Sequence, residues 1–448
     1  MMDDGWWIAK IGEKKVESFE CLRYFGEMKD KILSRPSLSG VIVLCGLIAM
    51  FVYVVIRAYS VGFTHDEALS FEMIHGDMSH FYSANNHWLN TGIMFVSSKV
   101  FGDSELSLRS SALIGFLFYG WFVYLILRKE VWWKAILGFT LLVLNPYLLD
   151  FFSLARGYGL SLGLAMGGIY YLLKFDKEES FENQLKNFRR ALVFVCIATL
   201  ANLILFNLVF VFLIFFFFQF GLNYLAQKDW WTKDRIIKVI SVFAVVVVFL
   251  SVCAAWLLFL KKRNELYFGG ETGFIKDTLT VMIHRSIYAS YYGEEFWQIL
   301  RDVLVGSFFV GLLYVVLRRE DNQFSRSFYL LASMILVVLM QFVLLDSRLP
   351  QERTSLIFIV LLLMSVYFFV SQEVKWSWLS NTRIFAVALP LVFFLSFHFY
   401  QNINFWSCRE WKDDSGMEQR VMQAMEDGNL EEVMGLPSGR YYMAVGGR

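Results

Sequence analysis

An acidic pair, Asp66 and Glu67, stands in the stretch Gly62-Phe63-Thr64-His65-Asp66-Glu67-Ala68. A carboxylate within hydrogen-bond reach of a hydroxyl can take its proton as a new bond forms, so the pair is a candidate general base. Taken alone, an Asp-Glu dipeptide is ordinarily a solvated acidic pair. The same segment continues with Asn85-Asn86-His87-Trp88-Leu89-Asn90, then Phe101-Gly102-Asp103-Ser104-Glu105 and Leu108-Arg109. A second group reads Asn145-Pro146-Tyr147-Leu148-Leu149-Asp150 followed by Ala155-Arg156-Gly157-Tyr158, and a third Asp346-Ser347-Arg348-Leu349-Pro350-Gln351-Glu352-Arg353-Thr354. Arg156 and Arg353 have the planar fork that holds a phosphate through paired N–H donors, and Tyr158 adds a hydroxyl. An arginine at headgroup depth also simply snorkels to lipid phosphate.

Five of the six histidines (His65, His75, His80, His87 and His284) fall in polar segments, four of them in one segment. No H-E-x-x-H frame occurs, so a zinc-protease reading has no support. A looser divalent-cation site built from Asp66 or Glu67 with His87 suits the donor types; the plainer reading is a polar loop that contains histidines. The five cysteines have no C-x-x-C spacing, so no zinc-ribbon or thioredoxin-like motif is present.

The elements that carry these groups are set by composition. Of 448 residues, 57% are hydrophobic and only 18% charged, with mean hydropathy +0.50. That leaves too little polar surface for a dissolved globule, for which about 25% charged residues is usual. A net charge of +1 gives no basic field, which excludes nucleic acid as a partner. The chain reads as an all-α polytopic membrane protein. Apolar stretches lie at 38–56, 111–127, 135–150, 157–173, 191–225, 239–260, 303–317, 327–345, 354–371 and 384–400. The stretch 191–225 would be about 52 Å long as one helix, against a hydrocarbon core of about 30 Å. It is therefore expected to turn near Asn202 and Asn207, which makes about eleven transmembrane helices. With the N-terminus inside, 24 of the 41 Lys and Arg fall on inner segments and every short inner loop is basic, so the C-terminus lies outside. Residues 16–33 repeat Val16, Phe19, Leu22, Met28 and Ile32 at nearly helical spacing, which reads as an interfacial helix or as a solvated basic leader. Gly159, Gly163 and Gly167 at four-residue spacing predict close helix packing. In the interiors of the spans only His398 is ionisable. Ion-coupled transporters need charge at membrane depth; here the polar groups gather on the outer face.

In this order, on one face of such a bundle, these groups resemble the polyprenyl-phosphate-sugar-dependent glycosyltransferases of the GT-C fold, which include protein O-mannosyltransferases and the enzyme that adds aminoarabinose to lipid A. The strongest match is Thr64-His65-Asp66-Glu67-Ala68 after the first span. Asn86-His87 follows, and then Phe101-Gly102-Asp103-Ser104-Glu105-Leu106-Ser107-Leu108-Arg109, which is similar to the family's "lfG-x-s-e-x-x-l-R" ending. The Asn-Pro…Ala-Arg-Gly-Tyr turn and the Pro-x-x-Arg before a late span also fit. The resemblance covers residues 38–400. It departs in the tail: many relatives carry a sizeable outer C-terminal domain, whereas about 48 residues follow the last span here. Trp406, Trp411, Asp413 and Asp414 resemble the start of such a tail, which is too short for a core of its own.

The resemblance implies an inverting membrane glycosyltransferase of a bacterial inner membrane, with its site facing outside. The donor is a sugar on a polyprenyl phosphate, and the acceptor is a hydroxyl of a glycan, lipid or protein. Asp66 is then the catalytic base with Glu67 beside it. Arg353, Arg156, Tyr158 and Lys262 hold the donor phosphate, with Lys261 and Arg263 in reserve. His87, Asn86 and Asp150 stand at the acceptor or loop site. The resemblance fixes no cofactor, and a divalent cation on Asp66, Glu67 and His87 stays open because relatives differ in their use of metal. The expected organisation is a basic cytoplasmic leader (1–37), the GT-C transmembrane domain (38–400) with outer loops 57–110 and 261–301, and an outer tail (401–448). The second loop, with Gly269-Gly270 and Tyr288, Tyr291 and Tyr292, reads as a lid or as an ordinary interfacial loop. A lipid flippase or transporter and an envelope-assembly scaffold are the alternatives. The first requires symmetric halves around a cavity, and the second requires no carboxylate facing a site.

Overall fold

The computed structural model describes residues 37–175, 180–218, 232–288, 292–372, 384–412, 416–427 and 430–446; the 16–33 segment, Tyr291, Asp413 and Asp414 lie outside them. The chain begins with α1 (Leu38–Ser60), followed by three shorter helices, α2 (His65–Ile74), α3 (Trp88–Phe101) and α4 (Glu105–Leu108). Then come α5 (Ser110–Leu127), α6 (Trp132–Val143), the short α7 (Pro146–Phe151), α8 (Gly157–Leu173), α9 (Phe181–Ala201), α10 (Phe206–Phe216) and α11 (Lys233–Lys262). After α12 (Val281–Ile287) follow α13 (Glu294–Arg318), α14 (Gln323–Leu345), α15 (Leu356–Ser371) and α16 (Leu389–Gln401); the tail forms α17 (Met417–Asp427), α18 (Glu431–Met434) and α19 (Pro437–Gly446). Seven of the described helical segments are long and apolar enough to cross a membrane, and α6, α8 and 203–216 are shorter apolar helices.

The centre of the bundle is α8, with nearly every side chain buried. It packs on α5 along a seam of glycines, where a Cβ on Gly163 would fall 2.1 Å from the Gly115 carbonyl oxygen. The expected close packing is thus met by backbone against backbone. By contrast α11, α13 and α16 bury few of their Val, Leu and Phe side chains, as helices in contact with lipid do. The long apolar stretch breaks at Asn202, whose backbone is extended and whose side chain caps Ile204 N. Asn207 does not turn the chain. It lies inside α10 and accepts a hydrogen bond from Gln341 Nε2 at 2.6 Å.

Short helices crowd one end of the bundle. Asn145 caps α7, with Pro146 at the first helical position. Residues 270–278 are tied down: Gly270 and Leu349 exchange backbone hydrogen bonds, and Thr278 Oγ1 donates to Pro350 O at 2.7 Å. The tail gathers Met417, Val421, Ala424 and Val433 into a small apolar cluster. Its last helix then docks on α2, with Tyr441 joining Phe63, Phe71 and Leu108 in a second cluster.

Candidate active site

The helix that carries the acidic pair starts with reciprocal hydrogen bonds. Thr64 Oγ1 accepts from Glu67 N at 3.4 Å, and Glu67 Oε2 accepts from Thr64 N at 2.9 Å, which satisfies two otherwise orphaned donors. Glu67 does more. It takes Arg109 Nε on Oε1 at 2.8 Å and Arg109 Nη2 on Oε2 at 2.7 Å, and Ala155 N also donates to Oε1. Both residues are fully buried. Glu67 therefore joins α2 to the head of α5 and to the Ala155-Arg156 turn, with no oxygen left for a reaction.

Asp66, one residue earlier, turns about 100° round the helix into a different setting. Its Oδ1 accepts from Asn85 Nδ2 at 3.2 Å. Its Oδ2 lies 3.6 Å from Arg156 Nη2 and 3.5 Å from Arg353 Nη2 and has no hydrogen-bond partner. Burial pushes this carboxyl up, but Arg156 and Arg353, with His65 and the Asn85 amide, more than offset it and hold the group below the usual aspartate value. Asp66 is a carboxylate with one oxygen uncommitted.

The two arginines differ in how far they are committed. Arg156 donates through Nη1 to Asp66 O (3.0 Å) and Ser70 Oγ (3.3 Å), and through Nη2 to Asn85 O (3.0 Å) and Asn85 Oδ1 (2.5 Å). It locks α2 to the segment before α3, and only its buried Nε lacks a partner. Arg353 opens the α15 segment and is the more accessible, with its side chain 18% exposed against 1% for Arg156. Its guanidinium lies between the rings of Phe268 and Trp411, at 5.0 and 5.3 Å from their centroids, and the buried Tyr158 hydroxyl stands beside it.

His87 packs edge-on against Tyr158, centroids 4.6 Å apart, and its Nδ1 lies 2.9 Å from Ala201 O. A carbonyl only accepts, so Nδ1 carries the hydrogen and Nε2 is a bare acceptor, buried and without a partner. Burial and then Arg156 push the imidazole well below its ordinary pKa, so it is neutral. Gly157 makes this approach feasible: a Cβ there would fall 1.9 Å from Ala201 O and 2.7 Å from His87 Cβ.

The other residues singled out in the sequence lie elsewhere. Asn86 shapes the turn before α3, donating to Phe81 O and accepting from Thr91 Oγ1. Asp150 is buried in a separate network with Arg57 Nη2 (2.5 Å), the Tyr288 hydroxyl (2.9 and 2.8 Å) and Arg409 N (3.1 Å). It fastens α1, α7, the 261–301 segment and the tail together. Lys262 is exposed in the last turn of α11 and forms no ion pair among the described residues. Asp66, Glu67 and His87 do not fit a divalent cation. Glu67 is spent on Arg109, two guanidiniums face Asp66, and no group of three or more ligating side chains gathers among the described residues.

Sequence reasoning passed over Asn85 and Glu410. Asn85 bears no chemistry-bearing side chain to mark it, yet it bridges Asp66 and Arg156. Glu410 carries no local motif, and only the fold brings it beside Arg353: its Oε1 accepts from Arg353 N at 3.4 Å and from the Tyr147 hydroxyl at 3.3 Å. Arg109 stood in the matched string, but nothing in that string names its partner.

The apolar helices and their arrangement define the class: the chain is a multi-pass membrane protein with the GT-C fold. The solved structure of ArnT from Cupriavidus metallidurans in the apo state superposes with TM-score 0.53 at 13% identity, covering 86% of this chain and 79% of that one. ArnT from the same organism bound to undecaprenyl phosphate gives TM-score 0.49 at 12% identity, covering 91% and 75%. No family model matches the chain, and no curated protein matches it in sequence. At these identities the likeness is one of fold.

Proposed function

We propose that the protein is an inverting glycosyltransferase that moves a sugar, hexosyl or pentosyl, from a polyprenyl-phosphate donor to an acceptor hydroxyl at the outer face of a bacterial inner membrane. The observation that carries this reading is the Asp66 carboxylate, one oxygen uncommitted, set against Arg353 and Arg156 on a helix between the first two long apolar helices.

Asp66 Oδ2 takes the proton of the acceptor hydroxyl as its oxygen attacks the anomeric carbon from the side opposite the phosphate. The bond from that carbon to the phosphate oxygen breaks, and its electron pair leaves with the phosphate. Arg353 is the accessible cation for that charge, with Tyr158 adding a donor and Arg156 a fixed positive field. His87 Nε2 can accept a hydroxyl of the sugar or acceptor. Arg353 also couples the two halves of the site. A phosphate that draws its guanidinium away from Asp66 removes one of the charges holding the carboxylate's basicity down, so the base strengthens once the donor is in place.

The donor's tail has a place as well. An apolar cavity of about 610 Å³ is lined by Phe274, Met282, Phe308, Ile335, Phe358 and Leu362, among others, and among the described residues Lys276 is the one charged residue lining it. Phe358 follows Arg353 by five residues in the same helical segment, about one and a half turns. A prenyl chain in this cavity would have its phosphate end near Arg353.

The test is to incubate the purified protein with a panel of radiolabelled polyprenyl-phosphate sugars and a membrane extract as acceptor source. Label should pass from lipid to acceptor with inverted anomeric configuration. Label that crosses the bilayer of proteoliposomes while remaining on its lipid would put a flippase in this reading's place.

A further inference from the structure

The reaction above leaves His87 with an acceptor atom and no fixed occupant for it. We propose that His87 determines which donor sugars are used: its Nε2 accepts a hydrogen bond from one ring hydroxyl of the transferred sugar, and the site discriminates against sugars with no O–H or N–H at that position. This rests on the donor site proposed above, with the phosphate at Arg353.

Three observations carry it. First, the tautomer is fixed by a contact. Nδ1 lies 2.9 Å from Ala201 O, which has no hydrogen to give, so Nδ1 carries the ring's hydrogen and Nε2 is an acceptor. Second, that acceptor is unused. His87 is 5% exposed and its Nε2 is buried without a hydrogen-bond partner, a costly state for a polar atom. A second proton on the ring does not relieve it, because Arg156 and Arg353 both oppose a positive charge there. Third, the ring belongs to the site. It packs edge-on against Tyr158 with centroids 4.6 Å apart, and the Tyr158 hydroxyl is bonded to the Arg353 side chain. Arg156, whose Nη2 lies 3.6 Å from Asp66 Oδ2, also has a buried Nε without a partner.

The chemistry of Nε2 decides what it takes. The phosphate of a sugar-bearing donor is a diester with acceptor oxygens alone, so it offers Nε2 nothing. A hydroxyl donates to Nε2, and its own oxygen can accept from a donor such as Arg156 Nε. Of the two hydroxyl-bearing groups in the reaction, the transferred sugar is the one joined to the phosphate, and Tyr158 sets His87 beside the cation that holds that phosphate.

The probes are undecaprenyl-phosphate-linked mannose, glucose and arabinose, each with its series of monodeoxy counterparts. Transfer kcat/KM is measured on the full-length detergent-solubilised protein for the wild type, His87→Asn and His87→Gln. The wild type should use one monodeoxy counterpart about 10- to 100-fold less well than its parent, the scale of a buried acceptor left unpaired. His87→Asn keeps a side-chain N–H for Ala201 O but has no atom where Nε2 stood, so this discrimination should vanish through a slower parent. His87→Gln returns an acceptor oxygen to that place and should restore it. Undecaprenyl phosphate, which carries no sugar, should bind His87→Asn as it binds the wild type, and the two should melt alike. Equal use of every parent and counterpart by the wild type overturns the proposal and leaves transfer itself standing. Undiminished discrimination by His87→Asn does the same and makes the ring structural. Weakened undecaprenyl-phosphate binding by His87→Asn would also overturn it, by moving His87 to the phosphate. No transfer from any parent by the wild type overturns this proposal and the glycosyltransferase reading together.

Discussion

Asp66 and Glu67 are neighbours in sequence held by different arginines: Arg109 grips both oxygens of Glu67 at 2.8 and 2.7 Å, whereas Arg156 and Arg353 stand 3.6 and 3.5 Å from a single oxygen of Asp66. The close, bidentate, buried pair is architecture, and the looser arrangement leaves room for a reaction. Glu67→Gln should therefore act on folding. Removing one partner of a buried ion pair costs about 3–5 kcal/mol, so a lowered thermal midpoint in detergent is expected. A stable Glu67→Gln protein that has lost transfer would return Glu67 to the chemistry.

The two arginines separate in the same way. Arg353→Ala should fold and weaken polyprenyl-phosphate binding by about 10- to 100-fold, the scale of lost hydrogen bonds to a charged group. Arg156→Ala leaves Asp66 O, Ser70 and Asn85 without their donor and should lower stability as well as transfer. Binding isotherms and melting curves on the two variants check this.

The tail clamps the helix that carries Asp66. Arg440 Nε and Nη2 reach Glu72 at 2.6 and 3.2 Å. Tyr441 stacks on Phe63 with centroids 3.9 Å apart, and the Tyr442 hydroxyl accepts from Phe63 N at 2.7 Å and donates to Glu105 Oε1 at 2.5 Å. Replacing Arg440 and Tyr442 together by Ala and Phe should raise amide hydrogen exchange across residues 63–74 while leaving α8 protected. Unchanged exchange in 63–74 would show that the tail is not what holds α2.

Stability should also depend on Glu410. The folded chain keeps its proton up to about pH 7, whereas an ordinary glutamate releases it near 4.5. Between these values the native state binds more protons than the unfolded one, so stability falls as pH rises through that window and the loss is complete above it. Glu410→Gln should accordingly raise the melting midpoint at pH 8 more than at pH 5.

Much of the fold was legible because apolar length and glycine spacing are local signals: the stretches at 38–56, 157–173 and 327–345 all lie on helices, and the Gly159-Gly163-Gly167 seam packs as its spacing implied. The break at Asn202 was legible for the same reason, but Asn207 was not, because its partner Gln341 lies 134 positions away. The site was only partly readable. The T-x-x-E spacing of Thr64 and Glu67 marks Glu67 as a helix cap, but the ion pairs that separate Asp66 from Glu67 are made by Arg109 and Arg353, which arrive from other elements. Asp150 looked like a site residue, and its burial against Arg57 and Tyr288 shows a tertiary fastening that no dipeptide encodes. Glu410 was invisible, brought to Arg353 only by the return of the tail.

The central claim is that Asp66 is the base. Its most direct measurement is transfer by Asp66→Asn against the wild type, with undecaprenyl-phosphate binding measured on the same samples. The expected result is a loss of transfer on the order of 10²- to 10⁴-fold, the usual contribution of a general base, with binding retained. Equal transfer by the two proteins would contradict the assignment and place the base elsewhere.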